Sequence, residues 1–359
     1  MHINDIIPVH ELAEAMANKL IRAQHHDELP LVILNYTYKA QINSVWNRAT
    51  TNARGLIYNA VTGQVVARPF RKFFNYNEEP EDRRRWSEDE MVVINDKLDG
   101  SLGILYPTGD GDYAIATRGS FTSAQALHAT EVFKEKYADR FKPRDGYTYL
   151  FEIIYPDNRI VVDYGDMDDL VLIGVVENES GLTFSPTGET FGQHWRWPGP
   201  IVETSPYKRF RDALAAPPRP NREGLVVHFL DSDERVKIKQ EDYIRLHKIV
   251  TGLDEKAVWE HMRQGKTLGA LLEQLPDELH EWARMVWDDL EYSFFLLDET
   301  VAETFDVLYD AGLVDDRKTF ALAIKDKPNW LKAALFRMLD GRDYADVILK
   351  NLEPVGGEK

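Results

Sequence analysis

Residues 91–106 read MVVINDKLDGSLGILY. Two apolar runs, Met91–Ile94 and Ile104–Tyr106, flank a polar bend that carries Lys97, Leu98, Asp99, Gly100 and Ser101. β-branched residues before the bend and Asp-Gly within it predict two strands joined by a turn. A lysine at the end of a strand, followed by a turn, holds an amine at the edge of a pocket. Lys97 is therefore expected to be a covalent nucleophile. Alone, the pattern is weak, because Asp-Gly is a common turn dipeptide and a surface lysine beside it needs no chemistry. A lysine attacks only as a free amine, which calls for a desolvated setting or a neighbouring cation. If its target is a nucleotide phosphate, further cations must hold the phosphates and carboxylates must hold a metal.

Residues that could serve those needs follow in order. Phe151-Glu152-Ile153-Ile154 sets one carboxylate inside an apolar strand, and Glu223 heads the strand Glu223–Phe229. In Val236-Lys237-Ile238-Lys239 the alternation puts Lys237 and Lys239 on one face. Upstream, Arg54–Asn59 and Val65–Phe70 read as a hairpin about Thr62-Gly63, and residues 68–78, RPFRKFFNYNE, mix basic and aromatic side chains. Phe73 and Phe74 are expected as core or wall rather than as a base-stacking pair.

The rest of the chain separates into two characters. Residues 5–24 have rough helical spacing, 31–38 and 170–177 read as strands, and 123–140 as a helix. Thr148–Tyr155 and Arg159–Asp163 are expected to pair across Pro156-Asp157-Asn158. From Tyr243 onward the periodicity is helical, with one long helix over 282–312 ended by Gly312 and two or three shorter ones after it. The stripe from Trp282 to Leu308 is expected to be helix-packing core. The histidines form no ligand-like HxH or HxxxH pair. The fold class is thus α+β: an antiparallel-sheet domain over 1–250, followed by an all-helical domain over 251–359.

Composition narrows the classes. A chain of 359 residues with 43% hydrophobic and 29% charged residues is long enough for two globular domains. It has no cysteine, which excludes disulfides, thiolate catalysis and cysteine-ligated zinc. No signal peptide is read at the N-terminus, and no stretch approaches the ~18 consecutive apolar residues of a membrane helix, so a cytoplasmic protein without a membrane partner is expected. The net charge of -17 argues against a protein that coats nucleic acid non-specifically, though it leaves room for a local basic cleft.

The series Lys97, Glu152, Glu223 and Lys237/Lys239, all in strand contexts, resembles the covalent nucleotidyltransferases, the nucleic-acid ligases and capping enzymes. KLDGS looks like their nucleophile motif, and FEII, EGLVV and KIK look like three motifs that follow it. ARGLIYN (53–59), RPFRKFFNYNE (68–78) and KIKQEDY (237–243) are more closely similar to the RNA ligase 1 family, the phage tRNA-repair type. So is a helical C-terminal domain, where DNA ligases and capping enzymes append an OB-fold. The resemblance implies an antiparallel adenylyltransferase domain and an ATP-dependent RNA ligase. Lys97 would form a phosphoramide with AMP, and Lys237 and Lys239 would contact the α-phosphate. Arg54 and Lys72 would hold the ATP phosphates, with Arg118 where the family usually has a lysine. Glu152 would bind the ribose edge or aid the metal, Glu223 would bind Mg²⁺ or Mn²⁺, and Tyr243 would lie at the phosphate or RNA end. The implied partners are RNA with 5′-phosphate and 3′-hydroxyl ends, such as a broken tRNA, and a separate end-healing kinase-phosphatase. The alternatives are a DNA ligase or capping-type nucleotidyltransferase, or a non-catalytic nucleotide-binding relative.

Overall fold

The structure, a computed structural model, describes residues 1–76, 86–109, 111–187, 195–240, 243, 253–272, 275 and 280–354. The chain divides into two units, Met1–His247 and Lys248–Lys359. Most of the boundary expected near 250–254, and residues 241–242 of the KIKQEDY stretch, lie outside the described residues.

Among the described residues the first unit holds three sheets. The first holds β1 (Ile21–His25), β2 (Leu31–Tyr36), β3 (Arg54–Asn59) and β4 (Val65–Ala67) in that order, all antiparallel. The remaining strands are β5 (Phe74–Asn75), β6 (Val92–Lys97), β7 (Ser101–Gly109), β8 (Asp112–Ala116), β9 (Tyr147–Ile154), β10 (Asp169–Glu177), β11 (Thr183–Phe184), β12 (Gly224–Phe229) and β13 (Arg235–Lys239). The second sheet runs β11-β10-β9-β7-β8, and the third runs β5-β13-β12-β6. Among the described residues every strand pairing is antiparallel except that of β5 with β13.

Period-two alternation decides what the third sheet does with its faces. Val92, Ile94, Leu225, Val227, Phe229 and Val236 pack on one side with Phe210. The residues between them, Asn95, Lys97, Val226 and Lys237, are left for the opposite face, where a cavity lies. The second sheet divides likewise. Phe151 and Ile153 pack with Val132 and Phe133 of the helix Ala124–Lys136, while Leu150 and Ile104 face the first sheet through Ile57.

Two local expectations differ from the structure. Residues 5–24 are not one helix. Pro8 separates Ile3–Ile6 from Val9–Ala17, and Lys19 then takes a left-handed φ of +57° that turns the chain into β1. Residues 159–163 form no strand opposite β9. That strand is paired on both sides, by β7 and β10, and the Val161 and Val162 amides instead donate to the Asp99 carboxylate.

His228 makes the first unit sensitive to acid. Its ring is buried, with Nε2 2.6 Å from Asp233 Oδ1, and burial, reinforced by the Arg235 guanidinium, pushes its pKa down to about 4. The unfolded chain takes up the same proton near pH ~6.5. Between these values the unfolded state binds more protons, so stability falls as pH drops. The loss is expected to approach about 3 kcal/mol at pH ~4. Urea unfolding at stepped pH should show this slope in the wild type and a flatter one in His228→Gln.

The second unit is helical. Its helices are Glu255–Arg263, Leu268–Leu272, His280–Asp310, Arg317–Ala323, Asn329–Leu339 and Ala345–Asn351, and no strand follows Lys239 among the described residues. Asp254 and Asp316 cap their helices by accepting amides of the first turn. Only part of the apolar stripe on the long helix is core. Val301 and Leu308 are buried against Phe320 and Leu335, whereas Met285, Tyr292 and Phe295 are exposed. At 31 residues, roughly 46 Å, the long helix outreaches the three shorter ones that follow it.

Candidate active site

The register of the third sheet brings distant charges together. Gly224 on β12 pairs with Lys97 on β6 and with Lys239 on β13. Glu223, immediately before Gly224, therefore lies between the ends of two lysine-bearing strands. Both ammonium groups meet the same carboxylate oxygen, Oε1, at 2.6 Å. Glu223 and Lys239 are buried and Lys97 is slightly exposed, so Lys97 is the more accessible lysine. Glu223 Oε2 is also buried and has no hydrogen-bond partner among the described residues.

The bend after Lys97 is held by its second aspartate neighbour. Asp99 Oδ2 accepts the Val161 and Val162 amides at 2.8 Å each, and Oδ1 accepts the Tyr243 hydroxyl at 2.7 Å. The Asp99 amide donates to the Tyr164 hydroxyl at 2.8 Å, and the Gly100 amide donates to Glu152 Oε1 at 3.0 Å. Gly100 is required by contact. A Cβ there would lie 2.6 Å from the Ile153 carbonyl oxygen and 3.1 Å from Glu152 Cγ. The turn is thus tied to β9, to the 161–164 segment and to Tyr243, and Lys97 is positioned by all three.

A cavity of about 580 Å³ opens over Lys97. All three sheets line it: Arg54 from the first, Glu152 and Ile173 from the second, Lys97, Val226 and Lys237 from the third. Register explains the first contribution, since Arg22 pairs with Asn35 and Asn35 with Arg54, so that a polar row crosses β1, β2 and β3 toward the cavity. Arg118 also lines it, with its guanidinium over the Tyr36 ring and 2.8 Å from the Tyr36 hydroxyl. Ile173, Val202 and Val226 add apolar wall, so the cavity combines a surface for a flat apolar group with cations for an anion.

The carboxylates there crowd one another. Desolvation, with Glu223 and Asp99 nearby, raises the Glu152 pKa to about 7 against the opposing pull of Lys97. No group of three or more acidic or histidine side chains that could hold a metal occurs among the described residues. The donor set nevertheless suits a hard cation that keeps most of its ligands from phosphates and water, because Glu223 Oε2 is an unpartnered buried carboxylate oxygen.

Of the residues singled out in the sequence, Lys97, Lys237, Arg54, Arg118 and Glu152 line this cavity. Lys239 and Glu223 form its buried ion-pair triad with Lys97. Lys72 lies elsewhere, on a neighbouring cavity, its ammonium 5.1–5.5 Å from the Tyr36, Trp46 and Phe74 rings. Tyr243 is buried behind the turn, where it serves Asp99. Phe73 is wall, with Arg54 and Lys237 over its ring. The sequence does not single out Arg22, because the pattern of β1 merges with the preceding helix, nor Asn35, one polar residue in an apolar strand, nor Tyr164, whose only signal is chemistry supplied from another element.

A family model described as RNA ligase matches residues 52–244, more than half of the chain. A protein of Thermovibrio ammonificans described as a "putative RNA ligase" is 28% identical over 254 residues, covering 67% of this chain and 64% of the relative. A "putative bifunctional polynucleotide kinase/RNA ligase" of Autographa californica nuclear polyhedrosis virus is 25% identical over 64% of this chain and 35% of its own length. An RNA ligase of Rhodothermus phage RM378 is 24% identical over 95% of this chain and 91% of that one. The match thus spans less than two thirds of the first two relatives. The stretch matched by the family model contains Lys97, Glu152, Glu223, Lys237 and Lys239, and the chain belongs to the RNA ligase 1 family.

Proposed function

We propose that the chain is an ATP-dependent RNA ligase that joins a 3′-hydroxyl to a 5′-phosphate. The observation that carries this reading is Lys97, which shares the Glu223 carboxylate with Lys239 and lines a nucleotide-sized cavity, in a member of the RNA ligase 1 family. Lys97 Nζ, once deprotonated, attacks the α-phosphorus of ATP. A P–N bond forms, the P–O bond to pyrophosphate breaks, and the proton leaves to solvent. Lys239 stays on Glu223 Oε1 and keeps that carboxylate neutralised as Lys97 leaves it. Arg54 and Lys237 receive the phosphate charge, and Ile173 and Val226 cover the base. AMP then passes to the oxygen of an RNA 5′-phosphate, freeing the lysine. Finally the RNA 3′-oxygen attacks that activated phosphate and AMP departs. Mg²⁺ or Mn²⁺, held by Glu223 and Glu152 with substrate phosphates, would supply neutralisation of the phosphate charge.

The natural partners follow as part of the proposal: broken RNA such as a cleaved tRNA loop, and a separate enzyme that restores its ends. No helix among the described residues is long and apolar enough to cross a membrane, and a cytoplasmic site of action fits a chain without cysteine. The test is incubation with α-labelled ATP or GTP, followed by nicked DNA or a panel of broken RNAs. Label from ATP on the protein and sealing of RNA are expected. Labelling by GTP alone, or sealing of nicked DNA alone, would overturn the reading.

Gly224 supplies a sharper check on the geometry. Its φ is +156°, and a Cβ would lie 2.2 Å from the Ile238 carbonyl oxygen and 2.9 Å from Lys239 Cα. Gly224→Ala must push β13 aside and draw Lys239 from Glu223. AMP loading is expected to fall at least ~10²-fold, in line with the cost of ångström-scale misplacement. Initial rates of label incorporation measure it.

A further inference from the structure

A second cavity of about 800 Å³ adjoins the first, and Phe70, Phe73 and Arg235 line both. Its walls mix aromatic rings with cations. Trp46 and Phe74 meet edge to face at 5.3 Å, and Trp86 lies flat against Phe229 at 4.6 Å, its indole N–H held by Glu234. Arg235 is buried with its guanidinium 4.1 Å from the Phe70 ring centroid. Arg71 is exposed on the cavity wall and makes no hydrogen bond or ion pair among the described residues. Burial, together with the Arg71 charge, holds both Arg68 and Arg235 below the usual guanidinium range. Four guanidinium groups, those of Arg48, Arg68, Arg71 and Arg235, line one chamber, and among the described residues Asp233 pairs with Arg235 alone of the four.

We propose that this second cavity receives the single-stranded acceptor RNA, the strand whose 3′-hydroxyl is joined; this rests on the ligase reading above. Cations for phosphodiesters interleaved with rings for bases are what an unpaired strand needs, and the concave wall admits splayed bases rather than a duplex. Released pyrophosphate would use the cations alone, whereas the rings of Trp46, Phe74 and Trp86 that also line the chamber offer surfaces to bases. Position selects the acceptor. The donor's 5′-phosphate must enter the first cavity to take AMP from Lys97, so the attacking hydroxyl arrives from the adjoining chamber, past Phe73. There the 3′-oxygen forms its bond to the donor's 5′-phosphorus as the bond to AMP breaks, and the hydroxyl proton passes to solvent.

The full chain should be titrated with a fluorescent single-stranded oligoribonucleotide bearing hydroxyls at both ends, followed by anisotropy. Arg71→Glu is expected to weaken binding at least about tenfold and Arg71→Lys to retain most of it. With a pre-adenylylated donor, the acceptor KM should rise in Arg71→Glu while AMP loading from ATP keeps its wild-type rate. Unchanged anisotropy in Arg71→Glu would overturn the proposal. So would unchanged anisotropy with slowed AMP loading and pyrophosphate exchange, which would assign the chamber to the leaving group. Because the anisotropy needs no ligation, a wild-type chain that loads no AMP would sink the ligase reading without deciding this one. Melting of both Arg71 variants checks that they fold.

Discussion

Lys97→Arg is expected to abolish covalent AMP transfer to the protein, a loss of at least ~10⁴-fold in the rate of labelling from α-labelled ATP. The argument rests on separating charge from nucleophilicity. Lys97 meets Glu223 Oε1 at 2.6 Å, and Lys239 meets the same oxygen at the same distance. Arginine keeps the positive charge and the ion pair, so the buried Glu223 carboxylate stays compensated and the sheet keeps its register. Arginine cannot supply a free nitrogen lone pair, since it holds its proton throughout the working range. Lys97→Ala would confound this with an uncompensated buried charge, although Lys239 remains beside it. A second readout localises the defect. Sealing of a pre-adenylylated donor needs no lysine nucleophile, so Lys97→Arg should retain measurable joining on that substrate. Wild-type labelling of Lys97→Arg would remove the nucleophile assignment. Loss of both reactions, with an unchanged melting curve, would place Lys97 in substrate binding instead.

Much of this site could be read from the sequence because its parts obey period two. Alternation in VKIK and in MVVINDK fixes which side chains share a face, and a glutamate at the head of a strand rich in valine has few reasons to be there. What alternation cannot give is register between distant strands. That Gly224 would pair with both Lys97 and Lys239, and so trap Glu223 between two ammonium groups, is a long-range fact. The same gap misplaced other residues. β1 is short and half exposed, with Arg22 and Gln24 inside it, so its pattern merges with the preceding helix. Lys72 reads as one more cation near an active site, but β5 adds to the third sheet beside β13 and the lysine comes to rest among three rings. Tyr243 carries no local signal of the aspartate it serves, 144 residues earlier in the chain.

That aspartate sets the second large effect. Asp99→Ala is expected to destabilise the first unit by about 3–9 kcal/mol, because it strands the two buried Val161 and Val162 amides and the Tyr243 hydroxyl at ~1–3 kcal/mol each. Such a loss is a large share of an ordinary domain's stability of roughly 5–15 kcal/mol. It also frees the bend that positions Lys97, so the fraction that remains folded should load AMP at least ~10²-fold more slowly. Asp99→Asn separates the two consequences. Its amide oxygen can still accept both valine amides, and its NH₂ can donate to the Tyr243 oxygen once that hydroxyl rotates. Every partner is retained and only the charge assistance is lost, at a cost of about 1–2 kcal/mol. Urea unfolding should therefore rank wild type, Asn and Ala in that order, with Asn the nearer to wild type. Tyr243→Phe removes one donor and leaves the two amides bound, so its cost should resemble that of Asn. If Ala proves no worse than Asn, the amides of 161 and 162 have found another acceptor and Asp99 acts on the substrate rather than on the turn.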